Sequence, residues 1–372
     1  MAQERVQVVV RLRPLSEAEL GDKEAWSSPE PTALTLSCGD AASTWQYDRV
    51  FPAPTSSDEV YKVTCKDLVS STILGGLNSV VFAYGQTGSG KTHTISALMR
   101  LACQDTFRLI EADSGREFLL RLVRELLTPV LTDLVTAVSG GLRVMDDPES
   151  GTHVEGLREE GIESVTHLEQ LLRNIEQNRQ VRDTRMNNSS SRGHLIVRII
   201  VESRDSTPHS SSGVVVSTLN FVDLAGSERL SQAAMEAGDS DRLRQKEASN
   251  INRSLLTLGT VIRALGDLPA ARKHVPFRDS KLTRILQPAL AGNARMAIVV
   301  TISPAGRAVD TTRAALHFAN AAKRVVMSPK VNKVHDESKA VIRRMQAEIE
   351  ALKMAVVSNL AWLLLVACDQ AC

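Results

Sequence analysis

Residues Gly85-Gln86-Thr87-Gly88-Ser89-Gly90-Lys91-Thr92 fill every fixed position of the pattern G-x-x-x-x-G-K-T. A backbone of this kind curls until successive N–H groups converge, which needs glycines that tolerate positive φ. The pattern also needs a strand before it and a helix after it. The flanks agree: Asn78-Ser-Val-Val-Phe-Ala-Tyr84 is strand-like, and Thr92 to Met99 is helix-compatible. Such a turn at a helix N-terminus makes a nest for phosphate oxygens, and the helix dipole adds partial positive charge. Lys91 is placed to reach β- and γ-phosphates, and the Thr92 hydroxyl to ligate Mg²⁺. The chain is expected to bind a nucleoside triphosphate on an α/β fold.

Two further clusters bear on what the nucleotide is used for. One is Asn187-Asn-Ser-Ser-Ser-Arg-Gly-His194; the other is Asp223-Leu-Ala-Gly-Ser-Glu228, after the apolar run Leu219-Asn-Phe-Val222. A strand ending in Asp-x-x-Gly is one way to sense a γ-phosphate, with the Asp near Mg²⁺ and the Gly N–H at the phosphate. Taken singly, each is weak, because Ser/Asn runs are usually turns. Their order along the chain, with the phosphate loop first, gives them weight.

Composition bounds the rest. A chain of 372 residues with 43% hydrophobic residues can bury a sizeable core in one large α/β domain or two small ones. At 3% aromatics, that core must rest on Val, Leu, Ile and Ala. A net charge of +1 gives no global field for a polyanion, so nucleic acid is not expected as a partner. Cys38, Cys65, Cys103, Cys368 and Cys372 show neither metal-ligand spacing nor a disulfide framework, which fits a reducing cytoplasm. The first residues carry no signal-peptide core.

Strands are expected at Val6–Leu12, Ser79–Ala83, His194–Glu202, Val214–Val222 and Ala297–Ile302. Helices are expected at Glu59–Leu74, Thr166–Asn178, Asn250–Leu265, Asp279–Leu290 and Thr311–Val325. The Ser-rich stretch Arg204–Gly213 reads as a hairpin turn. This alternation implies a central mixed sheet with helices on both faces.

The three nucleotide motifs resemble the P-loop, switch I and switch II of kinesin motor domains. Val10-Arg-Leu-Arg-Pro14 is similar to that family's first-strand motif. Ser249-Asn-Ile-Asn-Arg-Ser-Leu-Leu-Thr-Leu-Gly259 is similar to its relay helix, and His274-Val-Pro-Phe-Arg-Asp-Ser-Lys-Leu-Thr-Arg-Ile-Leu286 to its microtubule-contacting segment. The likeness runs from about Val6 to Val334. Lys330-Val-Asn-Lys-Val334 and Arg116-Glu-Phe-Leu-Leu-Arg121 resemble the kinesin-7, centromere-protein-E-type group.

The resemblance implies a P-loop NTPase fold with a mostly parallel central sheet and a motor domain over 1–324. It also implies a neck linker over 325–335, a helical stalk beginning at 336–357, and an ATP-hydrolysing, microtubule-stimulated motor of the cytoplasmic cytoskeleton. ATP and Mg²⁺ would be bound by Gln86, Thr87, Gly88, Ser89, Gly90, Lys91 and Thr92. Adenine would lie among Arg11, Pro14 and His93. Asn332-Lys-Val-His335 lacks the Asp of a guanine reader, which favours ATP over GTP. Ser190 and Ser191 would approach Mg²⁺ and the attacking water, Asp223 would hold Mg²⁺ through water, and Gly226 would meet the γ-phosphate. Arg192 and Glu228 would pair to close the site. Against the acidic tubulin face, Arg253, Arg263, Arg272, Lys273, Arg278, Lys281 and Arg284 would supply local positive charge. A motor head preceding its linker resembles plus-end-directed kinesins.

Several residues depart from the family pattern. Gly193 stands where the family has Ser, and the usual loop after Thr94 is missing. Pro129, in Leu127-Thr128-Pro129, withdraws a donor from the strand expected there. The loop after Glu228 is longer, and Ala321 stands where Arg is usual. These departures motivate a second reading, a microtubule-binding head with impaired hydrolysis; a third is a P-loop NTPase with another partner. Ile342, Met345, Ile349, Leu352 and Val356 form a short a/d seam, either a homodimer stalk or a lone amphipathic helix. The end, 358–372, is apolar but too short to span a bilayer and lacks a C-a-a-X box, so no membrane partner is expected.

Overall fold

The computed structural model describes residues 3–37, 43–127, 131–133, 142–147, 151–185, 193–206, 213–228, 242–267 and 274–334. Its strands are β1 (Glu4–Arg5), β2 (Gln7–Leu12), β3 (Trp26–Glu30), β4 (Ala33–Leu36), β5 (Ser43–Gln46), β6 (Arg49–Phe51), β7 (Ser79–Tyr84) and β8 (Arg116–Leu127). They continue with β9 (Leu131–Asp133), β10 (Arg143–Asp147), β11 (Gly151–Glu155), β12 (Glu160–Ile162), β13 (His194–Asp205), β14 (Val214–Asp223), β15 (Arg295–Ile302), β16 (Val326–Met327) and β17 (Lys333–Val334). The helices are α1 (Ser57–Thr64), α2 (Lys66–Ile73), α3 (Lys91–Ala112), α4 (Val165–Arg185), α5 (Arg242–Gly266), α6 (Lys281–Ile285), α7 (Gln287–Leu290) and α8 (Val309–Ala322).

One mixed sheet runs in the order β12-β8-β13-β14-β7-β15-β2-β6. From β14 to β6 every pairing is parallel, and from β12 to β14 every pairing is antiparallel. The parallel half lies between two helical layers, so its strands are apolar on both faces, as covered parallel strands must be. Successive residues of β7 divide between the two cores. Val80, Phe82 and Tyr84 join Leu255, Leu258, Ile262 and Leu316 of α5 and α8. Val81 and Ala83 join Ile95, Leu98, Ala102 and Leu168 of α3 and α4. Val8 and Val10 divide from Val9 in the same way, because a strand alternates sides with a period of two.

Expected helices differ where local chemistry interrupts them. The helix expected over Glu59–Leu74 breaks at Cys65 into α1 and α2. That expected over Asp279–Leu290 becomes a 3-10 turn, Phe277–Asp279, then α6 and α7. Ser280 is extended and caps α6 through the Thr283 N–H, and Pro288, which has no N–H, starts a new helix in α7. After Thr94, with the usual loop missing, α3 simply continues to Ala112. The strand carrying Leu127 is present and ends at that residue, before Pro129, which lies outside the described residues. Arg204 and Asp205 extend β13, so the hairpin connection is shorter than expected.

The segment that follows α8 lies along the domain rather than away from it. β16 pairs with β1, and β17 with β14. Between them, Ser328 N–H donates to the Gly292 carbonyl at 2.9 Å and Lys330 N–H to Asn293 Oδ1 at 2.8 Å. The stalk and tail expected over 336–372 lie outside the described residues.

Candidate functional site

β7 delivers the chain to Gly85 at the carboxyl end of a central parallel strand, where open α/β sheets form their ligand crevice. Gly85 has φ 151°, and a Cβ there would lie 2.2 Å from the Thr301 carbonyl oxygen, so any side chain is excluded. Gly90, with φ 98°, turns the loop into the first residue of α3. Ser89 is buried and shares a hydrogen bond of 2.7 Å with the Thr301 hydroxyl. The Thr311 hydroxyl donates to Gln86 Oε1. Strand β15 and helix α8 thus hold the turn from below. Lys91 is buried, and its ammonium donates to the Gln86 carbonyl at 2.8 Å, folding back over the loop.

The second strand tip meets this turn. β14 runs parallel to β7 with Asp223 opposite Ala83, so their carboxyl ends are level. Asp223 is 1% exposed, and its Oδ2 accepts the Thr92 hydroxyl at 2.7 Å. Beyond it, Leu224 N–H donates to the Ala83 carbonyl, Ala225 N–H to His194 Nδ1, and Ser227 N–H to the Gly85 carbonyl. Among the described residues, the Gly226 N–H between them has no such acceptor. The Glu228 carboxylate accepts the Thr87 N–H at 2.7 Å and the Thr87 hydroxyl. Both acids of the Asp223–Glu228 run therefore touch the phosphate-binding turn.

This donor set can be tested against Mg²⁺. Among the described residues no group of three or more His, Cys, Asp or Glu side chains could hold a metal ion. A hydroxyl and a carboxylate at hydrogen-bond distance are instead what Mg²⁺ uses when phosphate and water supply its other ligands. Thr92 and Asp223 fit that ion.

The remaining expected residues fall into two groups. Pro14 and His93 are exposed, and Arg11 is half-buried with its guanidinium on Thr94 Oγ1 at 3.1 Å and Ser57 Oγ at 3.2 Å. Ser190, Ser191 and Arg192 lie outside the described residues, as do Arg272 and Lys273. Arg253 and Arg263 are exposed on α5, with Leu256 between them, and Lys281 is exposed on α6. Arg278 and Arg284 both reach Asp146 of β10, at 3.3 Å and 2.9 Å. Arg284 holds the Asp146 carboxyl below its usual range, helped by Thr152 and opposed by desolvation.

Sequence reasoning missed Arg13 and Glu19. Arg13 Nε donates to the Gly88 carbonyl at 2.6 Å, and its two terminal nitrogens pair with the Glu19 carboxylate. Glu19 is 7% exposed and also accepts from Ser16 N–H and the Ser303 hydroxyl. Arg13 above all keeps the Glu19 carboxyl far below the usual carboxylate range; desolvation opposes it, and the Ser16 and Ser303 bonds reinforce it. Ser16-Glu17-Ala18-Glu19 has capping-box spacing, the one local signal that marks Glu19. Nothing local marks Asp146 as an arginine partner, since Arg278 and Arg284 are 132 and 138 residues away.

A family model described as kinesin motor domain matches residues 11–325. Kinesin-like protein KIN-7J of Oryza sativa subsp. japonica is 44% identical over 360 residues, covering 94% of this chain and 41% of that protein. Kinesin-like protein KIN-7B of Arabidopsis thaliana is 41% identical over 359 residues, covering 95% of this chain and 37% of that protein. The chain spans about two fifths of the length of these curated relatives. The solved structure of a fast kinesin, described for its ATPase mechanism and interactions with microtubules, matches with TM-score 0.80 and 30% identity over 90% of this chain and 95% of that one. A KIF14 dimer, two heads bound with AMP-PNP in complex with a microtubule, matches with TM-score 0.80 and 30% identity over 92% of this chain and 100% of its own. Sequence and shape agree, and the chain belongs to the kinesin family, beside relatives of the KIN-7 group.

Proposed function

We propose that this chain is the head of an ATP-hydrolysing microtubule motor. One observation carries the proposal: Asp223 and Glu228, five positions apart in sequence, are both hydrogen-bonded to the 85–92 turn, through Thr92 and Thr87. A γ-phosphate entering that turn has to displace or recruit this loop.

In the proposed mechanism Lys91 swings from the Gln86 carbonyl to the β- and γ-phosphates, and the Gly226 N–H donates to the γ-phosphate. Thr92, and Asp223 through water, would hold Mg²⁺, which would supply positive charge against the phosphates. Ser190, Ser191 and Arg192 are the proposed closing residues. Glu228 leaves Thr87 to pair with Arg192 and accepts the proton of the attacking water through a second water. The transition state is loose, so positioning and charge neutralisation carry the rate. Arg11, Pro14 and His93 form the base side, where no guanine reader is present.

The track surface is proposed from α5, α6 and the β10–β11 hairpin, which packs against α6 and α7. Exposed Arg253, Leu256, Arg263 and Lys281 lie on these elements, with Arg284 half-exposed and exposed Arg278 on the 3-10 turn just before α6. Arg272 and Lys273 belong to the same proposal. The segment 325–334 is the proposed neck linker, held along β1 and β14; a head preceding its linker supports plus-end-directed movement, and 336–357 is the proposed start of a dimer stalk. Such a chain would act on microtubules in the cytoplasm.

Steady-state ATPase of the whole chain, with and without polymerised microtubules, tests the proposal. Strong stimulation, absent in Glu228→Ala, is expected. Nucleotide-sensitive pelleting without stimulation would favour the second reading, a track-binding head with impaired hydrolysis, for which Gly193 is the motive. No pelleting in any nucleotide state would sink the track assignment.

A further inference from the structure

His194 begins β13, directly after Gly193 in the sequence, and is 2% exposed. Two hydrogen bonds leave its ring in different directions toward described residues. Nδ1 accepts the Ala225 N–H at 3.0 Å, and Nε2 lies 2.6 Å from the Ser254 hydroxyl. Because Nδ1 is an acceptor, the ring carries its proton on Nε2 and donates it to Ser254 Oγ.

Both partners are informative. The Ala225 amide precedes Gly226, so it moves with any rearrangement that brings the Gly226 N–H to a phosphate. Ser254 lies on α5 beside exposed Arg253, and Leu256 and Arg263 are exposed further along that helix. An imidazole is rigid, and this one is buried and bonded at both nitrogens, so displacement of one nitrogen moves the other. A longer or more flexible side chain would absorb the motion in its torsions.

We propose that His194 is a positioning residue that links the Asp223–Glu228 loop to α5, passing the loop's response to nucleotide on to the helix that bears the basic face. The inference rests on the motor reading for the purpose of the link, but not for its existence. Coupling between sites in proteins is commonly about 5- to 150-fold, and a relay of two hydrogen bonds belongs at the lower end.

Half-deletions separate the two bonds. In His194→Asn, Oδ1 replaces Nδ1 and keeps the Ala225 bond, while the reach to Ser254 is lost. In His194→Gln, Nε2 is kept and the Ala225 acceptor is lost. Ser254→Ala removes the far partner without touching the ring. Amide hydrogen exchange along α5 is compared between ADP and a non-hydrolysable ATP analogue, without microtubules, for each variant of the whole chain. A melting curve for each reports folding.

The expected result is a nucleotide-dependent exchange difference in α5 of the unaltered chain that shrinks about fivefold in each variant. The double variant His194→Asn with Ser254→Ala should lose no more than either alone, since both cut one link. Retention of the full difference in Ser254→Ala, or additive losses in the double variant, would overturn the inference, as would the absence of any difference in the unaltered chain. Microtubule pelleting in the same two nucleotide states separates the readings. If the unaltered chain never pellets while the exchange relay holds, the motor reading fails and the link stands.

Discussion

Glu19→Gln isolates the charge that braces the phosphate-binding turn from behind. The Glu19 carboxylate takes Arg13 at 2.5 Å and 2.7 Å, Ser16 N–H at 2.9 Å and the Ser303 hydroxyl at 2.9 Å. All its lone pairs face donors. Gln has the same shape but presents an NH₂ in place of one oxygen, so one of those donors meets another donor. Breaking one partner of a fully buried ion pair costs about 3–5 kcal/mol. The Arg13 side chain is 20% exposed and regains some hydration, so about 2–3 kcal/mol is expected here. At about 2.1 cal/mol/K of unfolding entropy per residue, a domain of this size loses about 3–4 °C in Tm. Nucleotide affinity should fall with it, because the same Arg13 holds the Gly88 carbonyl. The pH dependence has a fixed sign. The folded carboxyl titrates below its unfolded value of about 4.3, so its contribution is complete above that pH and fades as acid is added. The Tm gap between Glu19→Gln and the unaltered chain should therefore be constant from about pH 7 to pH 5 and narrow below about pH 4. Scanning calorimetry across that range measures it. A gap under about 1 °C at neutral pH, or one that widens in acid, would refute the reasoning.

Two other substitutions probe the nucleotide and track faces. Thr92→Val keeps the shape but removes the hydroxyl that meets Asp223; Mg²⁺-dependent nucleotide affinity should drop about tenfold or more by isothermal titration, with binding in chelator nearly unchanged. Asp146→Asn frees Arg284 and Arg278 from their internal acid; in pelleting assays microtubule affinity should rise roughly two- to fivefold, with a steeper salt dependence, and unchanged or weaker binding would mean that Asp146 orients the arginines more than it competes for them.

The turn was legible because its determinants are local. Gly85 and Gly90 are demanded by backbone conformation and by close approach, and those demands act within a few residues. The strands were legible for a similar reason, since β7 and β15 are buried on both faces and read as mostly apolar runs, over residues 80–84 and 296–300. Helix continuity was less legible. The periodicity over Asp279–Leu290 reads as one helix, yet Ser280 and Pro288 divide it, because an extended cap and a missing N–H outweigh a favourable stripe. At α3 the reverse holds: Ile95, Leu98, Met99, Ala102 and Cys103 keep one buried stripe, so shortening the family's loop leaves the helix free to run on to Ala112.

What sequence conceals is the pairing of distant charges, and here topology decides. Thr92 and Asp223 are 131 residues apart, and Thr87 and Glu228 are 141 apart. Their meeting follows from one register, Asp223 opposite Ala83, which sets two parallel strands to end at the same level. Motif order alone proposes that meeting; the parallel pairing supplies its geometry. Asp146 has no motif to announce it, and reaches Arg284 only because the β10–β11 hairpin folds down on α6 and α7. Arg13 and Glu19 lie between these cases. Arg13 belongs to the first-strand motif, and Ser16 sets Glu19 in a capping box, but the value of the pair comes from Ser303 and Gly88, brought in by the end of β15 and the turn. The residues proposed to carry the chemistry are therefore named by motifs in the chain, whereas those that aim and restrain them become visible only once the sheet has fixed which strand ends are neighbours.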